Sequence, residues 1–411
     1  MKKIKTLIRL KPLFGLLVTS LLLIQFYSCD SGKTNSALII TGQNTTNWET
    51  SSLILETILD QSGVFKVTTI TSPAKGEDMS KFLPQFGKYD VVVLDYNGDP
   101  WPDQAKKEFV EYVKNGGGVV VYHAANNSFP GWIEYNEIIG LGGWGNRDES
   151  SGDYVYWKDD DFIVDSSPGK AGDFGEQHAF LVINRDTYHP ITKGLNERWM
   201  HDKDKLFGLL RGPASGVNVL ATAFSDTSKG GTNRHEPVLF TVEYGAGRIF
   251  HTVLGNCMDD SEIPAMECAG FITTLQRGTE WAATGSVTLD IPDNLPNSAS
   301  IVKWPDFRPL LLEELLDKVT NYKVGQSRKY LADLTERIRQ SEGSPELLLE
   351  FEKELLKLLN SDATIDCKRY ICNELSWMGS EESIPILEKL AEEEATAEMA
   401  AFTLERLNAE F

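Results

Sequence analysis

Four short runs of aliphatic and β-branched residues, separated by amphipathic stretches, constrain this chain more than any other feature. Ala37–Thr41 (ALIIT), Phe65–Ile70 (FKVTTI), Tyr89–Asp95 (YDVVVLD) and Gly118–His123 (GVVVYH) read as buried strands. Glu49–Gln61 and Asp103–Asn115 read as the helices between them, the second stopped by Gly116-Gly117-Gly118. Strands that are apolar on both faces and alternate with helices predict an α/β fold with a doubly wound, mostly parallel sheet. Val219–Phe224, Pro237–Tyr244 and Arg248–Leu254 read as later strands, the last two joined by a tight turn at Gly245-Ala246-Gly247. Met266–Ala283 reads as a closing helix.

The pattern then changes. Residues 289–308 carry prolines at 292, 296 and 305 and read as a linker. From Pro309 to the end the spacing is helical throughout, as in Leu331, Leu334 and Ile338, and in Ala400, Thr403, Leu404 and Leu407. We expect about six helices, with Ser344-Pro345 opening one and Gly379 closing another. Ser383–Leu407 is similar to a HEAT-type repeat, so 309–411 reads as a small all-α, HEAT-like domain. Residues 341–411 hold 17 acids and 6 bases. This is a solvated acidic face or a docking surface for a protein partner.

The first eleven residues carry five bases and no acid, and the apolar run Leu13–Phe26 leads to Ser28-Cys29. That order reads as a secretory signal over 1–29, with Cys29 resembling the lipidated cysteine of a bacterial lipobox. An uncleaved span is the alternative, and the run is short for it. The expectation is a lipoprotein of the cell envelope, held to the membrane by its lipid alone, with 30–36 as a linker and the first folded domain over 37–288. The net charge of −20 becomes −25 without the signal's five bases and argues against nucleic acid. Five cysteines are too few for a disulfide scaffold. Cys367 and Cys372 read as helical core, while Cys257 and Cys268 flank a loop and either pair as a disulfide or stay reduced.

All six histidines (123, 178, 189, 201, 235 and 251) precede residue 252, so acid–base chemistry belongs to the first domain. His123 ends the fourth strand, and ligands of open α/β sheets bind at the carboxyl ends of strands. Leu141–Asp148 (LGGWGNRD) is a glycine-rich loop in which Trp144 could stack on a sugar ring. His189-Pro190, His201–Asp204 and Asn233–Pro237 form further polar clusters on loops. No spacing matches a zinc motif, no GxSxG elbow occurs and no glycine pattern cradles a nucleotide. The sequence implies no cofactor, and a divalent metal would find no recognisable ligand spacing in it.

Taken together these blocks resemble the trehalose-utilisation (ThuA-like) family, a variant of the flavodoxin-like fold of class I glutamine amidotransferases. The resemblance rests on Gly116–Ala125 (GGGVVVYHAA), Leu141–Arg147 (LGGWGNR), Tyr154–Lys158 (YVYWK), His189–Leu195 (HPITKGL), His235–Gly255 and Gly270–Thr288. It implies a pocket lined by His123, Trp144, Arg147, Gln177, His178, Asp204, His235 and Glu236. Where amidotransferases of this fold place a catalytic cysteine, this chain offers His123, which argues against glutamine hydrolysis. Four positions depart from the family pattern: Thr46, Ala179, the segment Asp204-Lys205-Leu206-Phe207, and Asn256.

The resemblance implies a role in carbohydrate utilisation. If the protein is an enzyme, it is expected to be a lyase, isomerase or hydrolase of a glycoside or keto-sugar. His123 would be general acid or base, His178 and His235 would assist, and Trp144, Arg147, Gln177, Asp204 and Glu236 would hold a small carbohydrate. The alternative is a non-catalytic module that binds a carbohydrate or docks a partner.

Overall fold

Runs buried on both faces must be sandwiched, and in the computed structural model of the chain they are. It describes residues 34–258, 263–305, 310, 312–326, 328–341 and 343–410, so the signal segment and Cys29 lie outside the described residues. Strands β1 (Asn35–Thr41), β2 (Phe65–Thr71), β3 (Val91–Leu94) and β4 (Gly118–Tyr122) are joined through helices α1 (Trp48–Gln61) and α2 (Asp103–Lys114). Strand β14 (Gly247–Thr252) completes a parallel set in the order β2-β1-β3-β4-β14. Ala37–Ile40, Val91–Val93 and Val119–Val121 are wholly buried, as their unbroken apolar pattern requires.

Helices cover both faces. A Cβ on Gly117 would strike Tyr112 of α2, and one on the next residue, Gly118, would strike Ala282 of α5 (Ala269–Thr284). Successive strand residues point to opposite faces, so α2 and α5 lie on opposite sides of the sheet. Helix α1 starts on Asn47, whose side chain accepts from Thr50 N at 3.1 Å, and it buries Ile54, Leu55, Ile58 and Leu59.

Beyond β14 the sheet continues antiparallel through β13 (Arg234–Tyr244), β12 (Asn218–Ser225), β8 (His178–Asn184) and β9 (Arg198–Asp204). Strands β5 (Asp153–Lys158), β6 (Asp161–Asp165) and β11 (Arg211–Gly212) branch from β13 through β5. A separate two-residue ladder joins β7 (Asp173–Phe174) to β10 (Phe207–Gly208). Helix α3 (Ile133–Ile139) packs on β13 and β14.

The closing helix differs from its expected single span. A short α4 (Pro264–Glu267) ends at Cys268, which is extended and bridges to Lys303 before α5 begins. Cys268 is a buried free thiol, so no disulfide joins it to Cys257.

The proline-bearing connection is irregular, as expected, but it is laid down on the sheet domain. Met200 N donates to Asn297 O at 2.9 Å, Ala269 N to Val302 O at 2.9 Å, and Trp304 N to Glu267 O at 2.8 Å. The Lys303 ammonium pairs with Glu267 at 2.9 Å and Asp202 at 3.6 Å. Arg277 donates to the carbonyls of Pro190, Ile191, Lys193 and Leu289.

The C-terminal region contains α6 (Leu312–Thr320), α7 (Lys329–Gln340), α8 (Pro345–Leu359), α9 (Ile365–Met378), α10 (Ile384–Ala391) and α11 (Ala397–Glu410). They share a core of their own that includes Leu334, Ile338, Leu355, Cys367, Cys372 and Leu407. Ser344 is the N-cap of α8 without a capping side-chain bond, and Gly379 closes α9. Among the described residues no helix is long and apolar enough to cross a membrane.

Candidate functional site

The parallel strands deliver three polar groups to one edge. Asp95 follows β3, His123 follows β4, and Gly255-Asn256 follow β14. Asp95 is fully buried and accepts from Ser51 Oγ at 2.7 Å, Asn44 Nδ2 at 2.9 Å and Thr41 Oγ1 at 3.4 Å. Burial pushes its carboxyl up to about 7 against those three hydrogen bonds. It was missed at the sequence level, although it ends an apolar run just as His123 does.

His123 opens a 3₁₀ turn, His123–Asn127, with φ of +43°, a left-handed conformation that costs a side-chain-bearing residue energy. It is 1% exposed, and neither ring nitrogen has a hydrogen-bond partner. Its ring centroid lies 4.3 Å from that of Phe207. Burial lowers its pKa to about 4, with Asp204 pulling it up and Lys205 pushing it down, so the imidazole is neutral near pH 7. Asn256, 2% exposed, has no partner for either side-chain polar atom, and Asn127 Oδ1 is also unbonded. Buried polar groups are ordinarily paired, so each of these atoms keeps an unused capacity to bond a ligand or water.

Phe207 links His123 to the glycine-rich loop. Its ring is 4.6 Å from that of Trp144, and Trp144 is 5.8 Å from the exposed Phe174. Trp144 also has a positive φ, +53°, and a Cβ on Gly172 would collide with it at 2.6 Å. The residue after Phe207, Gly208, leaves room for the Glu236 carboxyl, which would lie 3.0 Å from a Cβ there. Glu236 is buried, accepts from Thr232 Oγ1 at 2.6 Å, and is pushed up to about 7 by burial. His123 and Trp144 therefore meet at the Phe207 ring, whereas the Glu236 carboxyl lies at the next residue, Gly208, and so on the other face of β10.

The other expected site residues do not join them. Arg147 is buried behind the loop, and its five N–H groups bond Asn136 Oδ1 twice and the carbonyls of Asn127, Ser128 and Gly143. It builds the loop and has no donor left for a sugar. The Asp204 carboxylate takes Gly255 N at 2.8 Å, Asn256 N at 3.2 Å, Lys205 N at 2.6 Å and His201 Nε2 at 2.8 Å, so its acceptor sites are filled. His235 precedes Glu236 on β13 and so faces the other side, where it pairs with Trp157 across the strands and lies 5.2 Å from Phe224. His178 Nδ1 bonds Glu176 O at 2.7 Å, and Gln177 donates to Lys203 O at 3.3 Å. Neither shares a hydrogen bond or ring contact with His123, Trp144 or Glu236.

Behind Asp204 sits His201, wholly buried. Burial opposes its charged form, but the Cys268 thiol and the Asp204 carboxylate hold it, pushing it up to about 10. The loop Gly42–Trp48 is tied to this neighbourhood by Asn47 N to Cys257 O at 2.8 Å. Among the described residues no group of three or more His, Cys, Asp or Glu is placed to hold a metal ion. A surface groove of about 630 Å³ beside α2 and α3 is lined by Val110, Phe129, Trp132 and Ile133, among others, and by none of the residues above.

The family model for trehalose utilisation, ThuA, matches residues 36–282. The chain belongs to the ThuA family. The ThuA domain is also similar to the crystal structure of a ThuA-like protein from Parabacteroides merdae, 48% identical, with a TM-score of 0.66, covering 68% of this chain and 100% of that one. A ThuA-like protein from Bacteroides uniformis is 18% identical over 63% of this chain and 94% of that one, with a TM-score of 0.42. No curated protein matches. In the ThuA domain the strand-end histidine is thus set against the rings of Phe207 and Tyr122, with Trp144 on the far side of Phe207.

Proposed function

We propose that the ThuA domain is an enzyme acting on a glycoside or keto-sugar, with His123 as its proton-handling residue. The observation that carries this is His123 itself: buried, neutral, free of hydrogen bonds and held at a strained φ at a strand end. Such a group has its lone pair available to a ligand once Phe207 moves aside, and strain of this kind clusters at functional sites. With a keto-sugar, His123 takes the proton from the carbon beside the ketone. The imidazolium so formed then gives that proton to the enolate at the neighbouring position, for isomerisation, or to the departing glycosidic oxygen, for elimination. Trp144 and Phe174 supply flat apolar faces for the ring.

The same proposal places the protein in the cell envelope, lipidated at Cys29, with the acidic helices, read as HEAT-like, available to a protein partner. A second reading, carbohydrate binding without turnover, is favoured by one observation: Phe207 covers His123.

The test uses the chain from Asp30 onward and its His123→Ala variant, with thermal unfolding recorded against disaccharides and their keto derivatives, followed by product analysis. A shift with new products, both lost in the variant, supports the enzyme. A shift without products favours binding alone. Full product formation by the variant removes His123 from the mechanism.

A further inference from the structure

We infer that the sugar taken by this site carries a carboxylate, as in a uronic acid, and that Lys205 reads it. The inference rests on the ThuA domain being a sugar site. Lys205 is held in place at its backbone, where its N–H donates to Asp204 Oδ1 at 2.6 Å. Its side chain is half-buried, and Nζ stands 4.9 Å from the centroid of Phe174, the exposed ring at the rim. It forms no ion pair and no side-chain hydrogen bond among the described residues, and its charge bears on His123.

The other cations nearby are engaged. Arg147 has all its N–H groups bonded within the protein, Lys229 pairs with Glu176 at 3.6 Å, and Lys303 pairs with Glu267 at 2.9 Å. Lys205 is thus an ammonium with three N–H donors held over the Phe174 ring, next to Trp144 and Phe207 in the aromatic run that leads to His123. A sugar ring on Trp144 and Phe174 that displaces the Phe207 cover would offer hydroxyls to the unbonded His123 nitrogens. Its carboxylate would reach Lys205 in a charge-assisted hydrogen bond.

One cation matches a monoanion. A phosphate dianion would face one lysine, because Arg234, the cation that bears on Glu236, pairs with Asp165 at 3.2 Å and lies over the Tyr156 ring. Glu236, held largely protonated below its pKa of about 7, does not repel the sugar acid at mildly acidic pH.

The test is calorimetric affinity at pH 6 for methyl glucuronide, methyl glucoside and glucose 6-phosphate, using the chain from Asp30 onward and its Lys205→Met and Lys205→Glu variants. The expected result is glucuronide bound about tenfold or more tightly than glucoside, since hydrogen bonds to charged groups have effects of that order. Lys205→Met should bring the two within about twofold, and Lys205→Glu should reverse the preference, with unfolding midpoints unchanged. Equal binding of glucoside and glucuronide, preference for glucose 6-phosphate, or a preference that survives Lys205→Met overturns the inference and leaves the sugar site standing. No binding of any of the three overturns both.

Discussion

The Phe207 ring lies 4.3 Å from the His123 imidazole and shuts it off from water. This contact contributes to the burial that depresses the His123 pKa. Replacing Phe207 with Ala should destabilise the ThuA domain by ~3 kcal/mol through the cavity left behind. It should also move the His123 pKa upward from about 4 toward its ordinary value, because burial is the main cause of the depression. Denaturant unfolding and NMR titration of the histidine ring check the two effects, and an unmoved pKa would show that Phe207 is not the cover.

Arg147 donates to loop carbonyls and to Asn136, and its loss should look structural. Arg147→Ala should cost ~3 kcal/mol or more, because several buried acceptors are left unpaired at once. Arg147→Lys should recover little of it, since one ammonium cannot reproduce five forked donors. A variant of full stability with weakened sugar binding would instead return Arg147 to the ligand.

The pH dependence has two opposing parts. Glu236 and Asp95 are raised to about 7, so their contribution to stability is complete below their unfolded pKa and is lost as pH rises toward 7. His123 is depressed to about 4, so its contribution is complete above its unfolded pKa and is lost as pH falls from about 6.5 to 4. Glu236→Gln removes only the first kind. Its stability relative to the unmodified chain should therefore rise between pH 5 and pH 8. Unfolding midpoints at both pH values provide the comparison, and a constant difference would place the Glu236 pKa near its usual value.

The strap over 289–304 is bonded to β9 and to the α4–α5 junction. Ending the chain after Thr288 should lower the unfolding midpoint of the ThuA domain and speed alkylation of Cys268, which the Lys303 bridge adjoins. Mass spectrometry of iodoacetamide-treated protein reads the second effect. Equal labelling rates in the long and short chains would show that the strap does not protect the thiol.

Much of this was legible in the sequence, for identifiable reasons. The parallel core was visible because Val91–Leu94 and Gly118–Tyr122 are apolar on both faces, a pattern few other elements share. His123 was visible because its place follows from the end of a strand, and Asp95 carried the same signal. Arg147 was misread because its acceptors, three carbonyls and the Asn136 side chain, have no sequence signature. The separation of His235 from Glu236 was available in principle, since adjacent strand residues cannot share a face. The strap was hidden because prolines announce irregular backbone but say nothing about what that backbone rests on.

His123, Trp144 and Leu209 have φ values of +43°, +53° and +52°, all without being glycine. Each would relax if replaced by glycine or asparagine, and each instead keeps a side chain that the left-handed region disfavours. Selection for heat resistance alone should therefore enrich small residues at 144 and 209, whereas selection for the native task should keep the bulky ones. The course of laboratory evolution under those two regimes would distinguish the residues this domain keeps for its work from those it keeps for its endurance.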